Sequence, residues 1–260
     1  MNYRIFPIGE NALTVDFGSE ISAELNDRVL SLAEFIGKNS FTGFVELVPA
    51  YSSLTVFYDL VQVRKTYRQF PNVFSAVKNF VETALENLPK ISKREPDLIK
   101  IPVCYEMEFA PDLEFVARCA KLTTAEVIKI HTSTIYRVFM IGFLPAFAYM
   151  GEVDTRITAP RRANPRTKIE PGSVGIAGRQ TGIYPLASPG GWQIIGKTPL
   201  QMFRPERKKI SFLKMGDMVN FFEIGSDEFK NKSKIENRKS DEFTFPDKFT
   251  ADNRAGFGTR

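Results

Sequence analysis

The segment from Ile141 to Pro199 constrains the fold more than any other part of the chain. It reads IGFLPAFAYMGEVDTRITAPRRANPRTKIEPGSVGIAGRQTGIYPLASPGGWQIIGKTP. Glycines and prolines recur every few residues, which excludes an amphipathic helix. The short runs of Phe, Tyr, Ile and Val are nevertheless too apolar for a disordered linker. This texture predicts short strands joined by tight loops, with backbone amides and arginines turned toward a ligand.

Residues 1–95 have the pattern of a small α/β domain. Two pairs of strands are expected, at Tyr3–Ile8, Ala12–Phe17, Phe44–Val48 and Ser53–Tyr58. Apolar residues at helical spacing predict two amphipathic helices, Ile21–Ile36, which Gly37 would end, and Val73–Leu88. The simplest architecture places both helices on one face of a small, mostly antiparallel sheet.

A second domain is predicted over residues 96–225, after a charged linker at Lys90–Asp97. Its two short helices are expected at Asp112–Cys119 and Thr124–Ile130. Strands are expected at Leu98–Tyr105, Arg137–Phe143, Met202–Pro205 and Met218–Ile224. Many short strands at such spacing are typical of a closed β-barrel, so the predicted class is α+β.

The remaining residues, 226–260, are highly charged, without periodicity, and predict a flexible tail. A net charge of +5 is mild for a nucleic-acid binder of this size. The chain has no apolar run long enough for a membrane span and no signal-peptide pattern. With only Cys104 and Cys119 as cysteines, we expect a cytoplasmic protein with reduced thiols.

One motif invites a nucleotide-binding interpretation. Gly191–Thr198 reads GWQIIGKT, which matches the P-loop pattern G-x-x-x-x-G-K-[ST]. However, Thr198 precedes Pro199, which disfavours the helical start that a P-loop requires. The bulky Trp-Gln-Ile-Ile interior is typical of a strand, so we interpret the motif as a strand between glycine turns.

His131 is the only histidine and follows the predicted helix Thr124–Ile130. It is the candidate for proton transfer, and a structural position at the helix end is the alternative. One histidine and two separated cysteines do not make a zinc-binding pattern. Ser188 is not in a G-x-S-x-G turn, which argues against covalent serine catalysis.

The basic cluster of Arg161, Arg162 and Arg166 lies among prolines that would hold it in place. Guanidinium groups suit carboxylate or phosphate ligands, and a solvated surface loop is the alternative. The tight turn at Gly178–Gly182 would expose backbone amides beside Gln180. The further residues expected at the ligand are Thr181, Gly182 and Tyr184.

Three stretches carry a family resemblance: GFLPAFAYMG, TAPRRANPRTKIEPGSVGIAG and QTGIYPLASPGGWQIIGKTP. They closely resemble the allophanate hydrolase family of small-subunit proteins, which includes the 5-oxoprolinase component PxpB and KipI proteins. The resemblance runs from Ile101 to Phe203 and extends into the N-terminal domain through VELVPAYSSLTVFYD. The sequence departs from the family pattern at Ala146 and Arg179, where glycine is usual.

The resemblance implies a small α/β N-terminal domain followed by a cyclophilin-like β-barrel. It implies a complex with two partner proteins, one of them of the KipA type, that opens 5-oxoproline to glutamate with ATP. The ATP would be bound by the complex, not clearly by this chain, which would be inactive alone. The alternatives are a KipI-like inhibitor of a histidine kinase and a protein that acts on a small amide or urea-type substrate.

Within the leading interpretation, each candidate residue has an expected role. Arg162 and Arg166, with Arg161 next, would bind anionic groups. His131 would act as acid or base, and Gln180 would orient an amide or oxyanion. No metal ligand is predicted.

Overall fold

The computed structural model describes residues 3–88 and 98–241. The predicted linker Lys90–Asp97, and with it the boundary between residues 95 and 96, lies outside the described residues. The last part of the predicted tail, residues 242–260, lies outside them as well.

The N-terminal lobe contains a four-stranded antiparallel sheet and three helices. The strands are β1 (Arg4–Pro7), β2 (Ala12–Asp16), β3 (Phe44–Pro49) and β4 (Ser53–Tyr58), in the order β1-β2-β4-β3. The helices are α1 (Ala23–Lys38), α2 (Leu60–Thr66) and α3 (Val73–Glu86). Helices α1 and α3 share one core with the sheet, which confirms the predicted arrangement.

Two local predictions in this lobe differ from the structure. Helix α1 does not end at Gly37 but continues through Lys38 to Asn39, whose N–H donates to the Phe35 carbonyl at 3.0 Å. Helix α2 was not predicted, because its seven residues are too short to show a helical period. Asp59 caps its first turn by accepting from the Gln62 N–H at 2.9 Å.

The second lobe is built on a seven-stranded sheet. Its strands are β5 (Leu98–Val103), β6 (Ile135–Ile141), β7 (Ala148–Gly151), β9 (Ser173–Ala177), β10 (Gln180–Ile183), β12 (Gln193–Lys197) and β13 (Met218–Glu223). Their order is β12-β9-β10-β7-β6-β13-β5, and a separate pair is formed by β8 (Arg166–Ile169) and β11 (Ser188–Gly190). Helices α4 (Leu113–Ala120) and α5 (Thr124–Ser133) pack against β12 and β13.

The seven-stranded sheet is nearly closed into a barrel by one bridge between its two edges. Cys104 and Lys197 exchange backbone hydrogen bonds of 2.8 and 3.0 Å. Beside this bridge, a Cβ on Gly196 would lie 2.6 Å from Val103 Cγ1 and 3.0 Å from the Cys104 carbonyl oxygen. Gly196 therefore allows the two edges to approach. The α+β class with a barrel is confirmed.

The P-loop-like motif falls at this closure. Gln193–Lys197 is strand β12, and Thr198 is 2% exposed with its hydroxyl near the Leu200 N–H, at 3.3 Å. The strand interpretation of the motif is confirmed. The glycine before the lysine provides close strand packing, and the threonine has no helix to begin.

Two predictions in the C-terminal part were wrong. Met202–Pro205 is not a strand, since Phe203 makes only an isolated bridge to Ser211. The predicted flexible tail begins as helix α6 (Ser226–Asp241). Its start is held by the Ser226 N–H, which donates to Glu106 at 2.7 Å, and by the Phe229 ring, 4.4 Å from Phe109. These tertiary contacts stabilise a helix whose sequence lacks a continuous apolar stripe.

Asn26 joins the two lobes. This residue of α1 is fully buried, and its side-chain amide donates to the carbonyls of Phe139 at 2.9 Å and Tyr51 at 3.2 Å. Its side-chain oxygen accepts from Arg137 Nε at 3.0 Å, and Arg137 is also paired with Asp27. Buried polar groups that are all satisfied fix one arrangement of the lobes.

Candidate functional site

His131 lies inside the barrel, with 0% of its surface exposed. Its ring stacks on Phe221 with centroids 4.7 Å apart, and its Nδ1 is 2.8 Å from the Tyr105 hydroxyl. Its Nε2 is 3.1 Å from the Thr181 hydroxyl, which itself donates to the Gly175 carbonyl. Thr181 must therefore accept from Nε2–H, and Tyr105 donates to Nδ1, so the imidazole is neutral.

The burial of His131 removes it from any surface that a substrate reaches. Burial lowers the pKa of its imidazole to about 3, so the ring stays neutral at physiological pH. The expected acid–base role therefore has no support from the geometry. The helix-terminal position was predicted correctly, but the sequence did not show that the barrel interior surrounds it.

Three other predicted contact residues are also in the interior. Thr181 is 0% exposed and bonded to His131, and a Cβ on Gly182 would lie 2.9 Å from the Ala148 carbonyl oxygen. Tyr184 is 1% exposed and packs edge-on against Phe147, with centroids 5.2 Å apart. Burial raises the pKa of the Tyr184 hydroxyl to about 12. The structure uses these residues for packing, because β10 runs through the middle of the sheet.

Arg162 and Arg166 converge on one buried carboxylate. Asp112 is 4% exposed and accepts from Arg162 Nη1 at 2.9 Å and from Arg166 Nη1 and Nη2 at 2.8 Å each. It also accepts from the Ile194 N–H at 2.7 Å. Both guanidinium groups are thus engaged within the chain, so the proline-held arginines are ordered, as predicted, but largely by an internal anion.

Arg161 differs from its two neighbours. Among the described residues, no carboxylate lies within ion-pair distance of its guanidinium, and the residue is exposed. Burial raises the pKa values of the Tyr51, Tyr149 and Tyr184 hydroxyls, and the positive charge of Arg161 opposes that rise in all three. Arg161 therefore stands beside a cluster of tyrosines, free to bind an anion.

The aromatic cluster beneath Arg161 extends to the surface. Phe147, Tyr149 and Trp192 pack edge to face, with centroids 4.8 to 5.9 Å apart. Above them Phe143 is 62% exposed and has a φ of 68°, an unfavourable conformation for a bulky residue. Ala146, where the family resemblance implies glycine, has a φ of 65°. Strained backbone of this kind is concentrated at ligand sites.

A cleft between the lobes adjoins this cluster. It has a volume of about 420 Å³, within the range of small-molecule sites. Its lining comes from both lobes: Glu20, Ile21 and Tyr51 on one side, and Gly151, Glu152, Arg179 and Gln180 on the other. Of the predicted site residues, Gln180 alone lines it.

Tyr51 connects the cleft with the tyrosine cluster, and the sequence did not predict its role. Its ring stacks on Phe139 with centroids 5.9 Å apart and meets Tyr149 edge-on at 6.1 Å. Its hydroxyl accepts from Gln180 Nε2 at 2.6 Å. A tyrosine in a short turn between two strands carries no sequence signal for a contact with the other lobe.

Metal and membrane sites were searched in the part of the chain that the structure describes. No group of three or more His, Cys, Asp or Glu side chains is placed to hold a metal ion. None of the described helices is long and apolar enough to cross a bilayer.

The sequence matches the family described as "Carboxyltransferase domain, subdomain C and D" over residues 3–213. The chain belongs to this family. The match covers both lobes but ends before β13, which lies between β6 and β5 in the barrel sheet. In this family member, then, residues beyond the matched part complete the barrel.

Relatives in this family cover nearly the whole chain. The 5-oxoprolinase B subunit of Bacillus subtilis (strain 168) is 44% identical over 230 residues, which span 88% of this chain and 96% of that protein. The protein of the same name from Escherichia coli O157:H7 is 34% identical over 220 residues, which span 84% and 94%. These relatives confirm the predicted family.

A solved structure shows the same fold. The crystal structure of TTHA0988 is similar with a TM-score of 0.71 and 32% identity, over 83% of this chain. This chain spans 40% of the TTHA0988 chain.

Proposed function

We propose that this chain is the PxpB component of an ATP-dependent 5-oxoprolinase complex, a hydrolase acting on a cyclic amide. The observation that carries the proposal is the 44% identity to the B. subtilis 5-oxoprolinase protein over 96% of that protein's length. The reaction converts 5-oxo-L-proline, ATP and water into L-glutamate, ADP and phosphate. The partners would be the two other components of the same complex, one of them a KipA-type protein.

The described residues support a binding role for this chain more than a proton-transfer role. The one histidine is inside the barrel, neutral and bonded at both ring nitrogens. No other exposed cluster combines a titratable base with a nucleophile in the part of the chain that the structure describes. We therefore assign acid–base chemistry to the partner proteins, and substrate positioning to this chain.

Arg161 is the residue to which we assign anion binding. The substrate carries a carboxylate, and a guanidinium binds a carboxylate through two parallel hydrogen bonds. Arg162 and Arg166 already share Asp112, whereas Arg161 stands unpaired beside Tyr51, Tyr149 and Tyr184. This narrows the predicted three-arginine site to one arginine.

The chain's own residues do not fit a nucleotide. A phosphate cradle requires backbone N–H groups turned toward the ligand at the start of a helix. In GWQIIGKT, Lys197 N–H instead donates to the Cys104 carbonyl and Thr198 N–H to the Gly172 carbonyl, at 3.0 and 2.9 Å. We therefore place the ATP on a partner protein.

The test is reconstitution with the two partner proteins, followed by an assay of ATP-dependent glutamate release from 5-oxoproline. We expect release from the complete complex and none from this chain alone. Arg161→Ala should raise the KM for 5-oxoproline roughly tenfold to a hundredfold, the value of a hydrogen-bonded charge pair. The matched control is Arg156→Ala, an exposed arginine paired with Asp154, which should leave KM unchanged.

A well-folded complex that releases no glutamate would overturn the proposal. In that case the two alternatives predicted from the resemblance, inhibition of a histidine kinase and action on a urea-type amide, would be tested next with the same preparation.

A further inference from the structure

The interlobe cleft contains a recognition element for an amide. Tyr51 enters it from the N-terminal lobe and Gln180 from the barrel, and their side chains meet at 2.6 Å. In this bond Gln180 Nε2 donates and the Tyr51 oxygen accepts. The phenolic O–H is therefore left to donate, and the Gln180 side-chain oxygen is left to accept.

Neither group has another partner within the described residues, where the Tyr51–Gln180 bond is the one hydrogen bond recorded for each side chain. A donor beside an acceptor is the complement of an amide, whose carbonyl accepts and whose N–H donates. A lactam presents these two groups on the same side, because its ring forces the amide into the cis arrangement.

Tyr51 is held in place before any ligand arrives. Its ring stacks on Phe139, and its backbone carbonyl accepts from the buried Asn26 side chain at 3.2 Å. Burial raises the pKa of its hydroxyl, so the phenol keeps its proton at neutral pH. A donor fixed in this way loses little entropy on binding.

We propose that the interlobe cleft binds the lactam ring of the substrate, with the Tyr51 hydroxyl donating to the lactam carbonyl and the Gln180 side-chain oxygen accepting from the lactam N–H. This inference rests on the proposed function, because the substrate is a lactam there. Ile21, 39% exposed, provides an apolar contact for the ring methylenes.

Charge divides the work between the cleft and Arg161. The cleft lining carries the carboxylates of Glu20 and Glu152 and the guanidinium of Arg179, which pairs with Glu152 at 2.5 Å. The lining thus provides no unpaired cation for the substrate carboxylate. Arg161, whose charge acts on the Tyr51 hydroxyl, supplies one next to the same tyrosine.

The test uses three probes that differ in one group each. 2-Pyrrolidinone has the lactam without a carboxylate, N-methyl-2-pyrrolidinone lacks the N–H, and 5-oxoproline has both. Each is titrated into the full isotope-labelled chain, alone and in the complex without ATP, while the NMR signals of Tyr51 and the Gln180 side chain are followed.

We expect 2-pyrrolidinone to shift both signals, and Gln180→Met to weaken its binding roughly threefold to tenfold, the value of one neutral hydrogen bond. N-methyl-2-pyrrolidinone should bind about as weakly to the wild type as to Gln180→Met. Tyr51→Phe keeps the stacked ring and should weaken both probes. Arg161→Ala should weaken 5-oxoproline alone. Tyr67→Phe, a tyrosine of the N-terminal lobe whose hydroxyl accepts from Thr42 N–H, is the matched control.

Absence of shifts at Tyr51 and Gln180 in both preparations would overturn the inference, as would equal binding of the N-methylated probe. The failure of the proposed function is a different result. If the complex releases glutamate while the cleft stays silent, the cleft assignment is wrong and the function stands. If the cleft binds lactams but no glutamate is released, the function is wrong and the binding site stands.

Discussion

Arg166 and Asp112 form a bidentate ion pair, in which Nη1 and Nη2 of the arginine each donate to one carboxylate oxygen at 2.8 Å. Asp112 stands at the N-cap of α4 but makes no side-chain hydrogen bond to that helix. Its carboxylate instead accepts from Arg166, Arg162 and the Ile194 N–H. The pair therefore ties the loop that carries Arg161 to strand β12.

Asp112→Asn should reduce the free energy of unfolding by about 2–4 kcal/mol, because it leaves two partly buried guanidinium groups without an anion. The figure stays below that of a fully buried pair, since Arg162 and Arg166 are 35% and 25% exposed. Urea unfolding of the chain measures it. Asp154→Asn, which breaks an exposed pair with Arg156, should change the free energy far less, and equal losses would contradict our account.

The stability of the chain should fall as the pH drops below about 6.5. His131 has a pKa lowered by burial to about 3 in the folded state, whereas an unfolded histidine titrates near 6.5. Between these values the unfolded chain binds a proton that the folded chain does not. Stability is thus complete above pH 6.5 and falls by at most about 1.4 kcal/mol per pH unit below it.

This pH dependence is measured by urea unfolding at several pH values between 7.5 and 5, above the range in which carboxylates such as Asp154, with a pKa lowered to about 2 by Arg156, lose their stabilising charge. His131→Phe should remove most of the slope in this window. An unchanged slope in that variant would show that another group is responsible.

Gly196→Ala should destabilise the barrel by about 2–4 kcal/mol, because its Cβ would lie 2.6 Å from Val103 Cγ1 at the closure. Gly37, in α1, has nothing within 4 Å of an added Cβ. Gly37→Ala should therefore stabilise the chain by about 0.5–1 kcal/mol through helix propensity. Thermal unfolding distinguishes the opposite signs, and a stable Gly196→Ala variant would disprove the role of this glycine in closing the sheet.

Asn26→Ala should lower the free energy of unfolding by about 2–3 kcal/mol, since it leaves the buried carbonyls of Phe139 and Tyr51 with one donor fewer. It should also split one calorimetric transition into two, because Asn26 links the lobes. Asn79→Ala, an exposed asparagine of α3, is the control. A single transition at unchanged temperature would mean that other contacts hold the lobes together.

Much of the fold was predictable because its signals are local. Helix α5 was readable from its capping box, in which Thr123 and Glu126 bond each other's backbone, and β4 from its alternating pattern. The same local chemistry separated GWQIIGKT from a true P-loop. Helix α6 was missed, because its packing partner Phe109 is more than a hundred residues earlier in the chain.

The candidate site was only partly predictable. Arg161 and Gln180 were found because arginines and tight turns have recognisable compositions. Asp112 was missed because an aspartate before a helix ordinarily indicates an N-cap, and Tyr51 because a turn tyrosine indicates nothing about the opposite lobe.

Side-chain periodicity, turn chemistry and motif order were enough to establish the family, the α+β class, most of the helices and strands, and the region in which a ligand would be bound. Three properties of the site came instead from the folded chain. His131 is neutral inside the barrel, Asp112 engages Arg162 and Arg166 while Arg161 stays unpaired, and Tyr51 meets Gln180 across the lobes. Burial and charge pairing are set by residues distant in the chain, so no local pattern contains them.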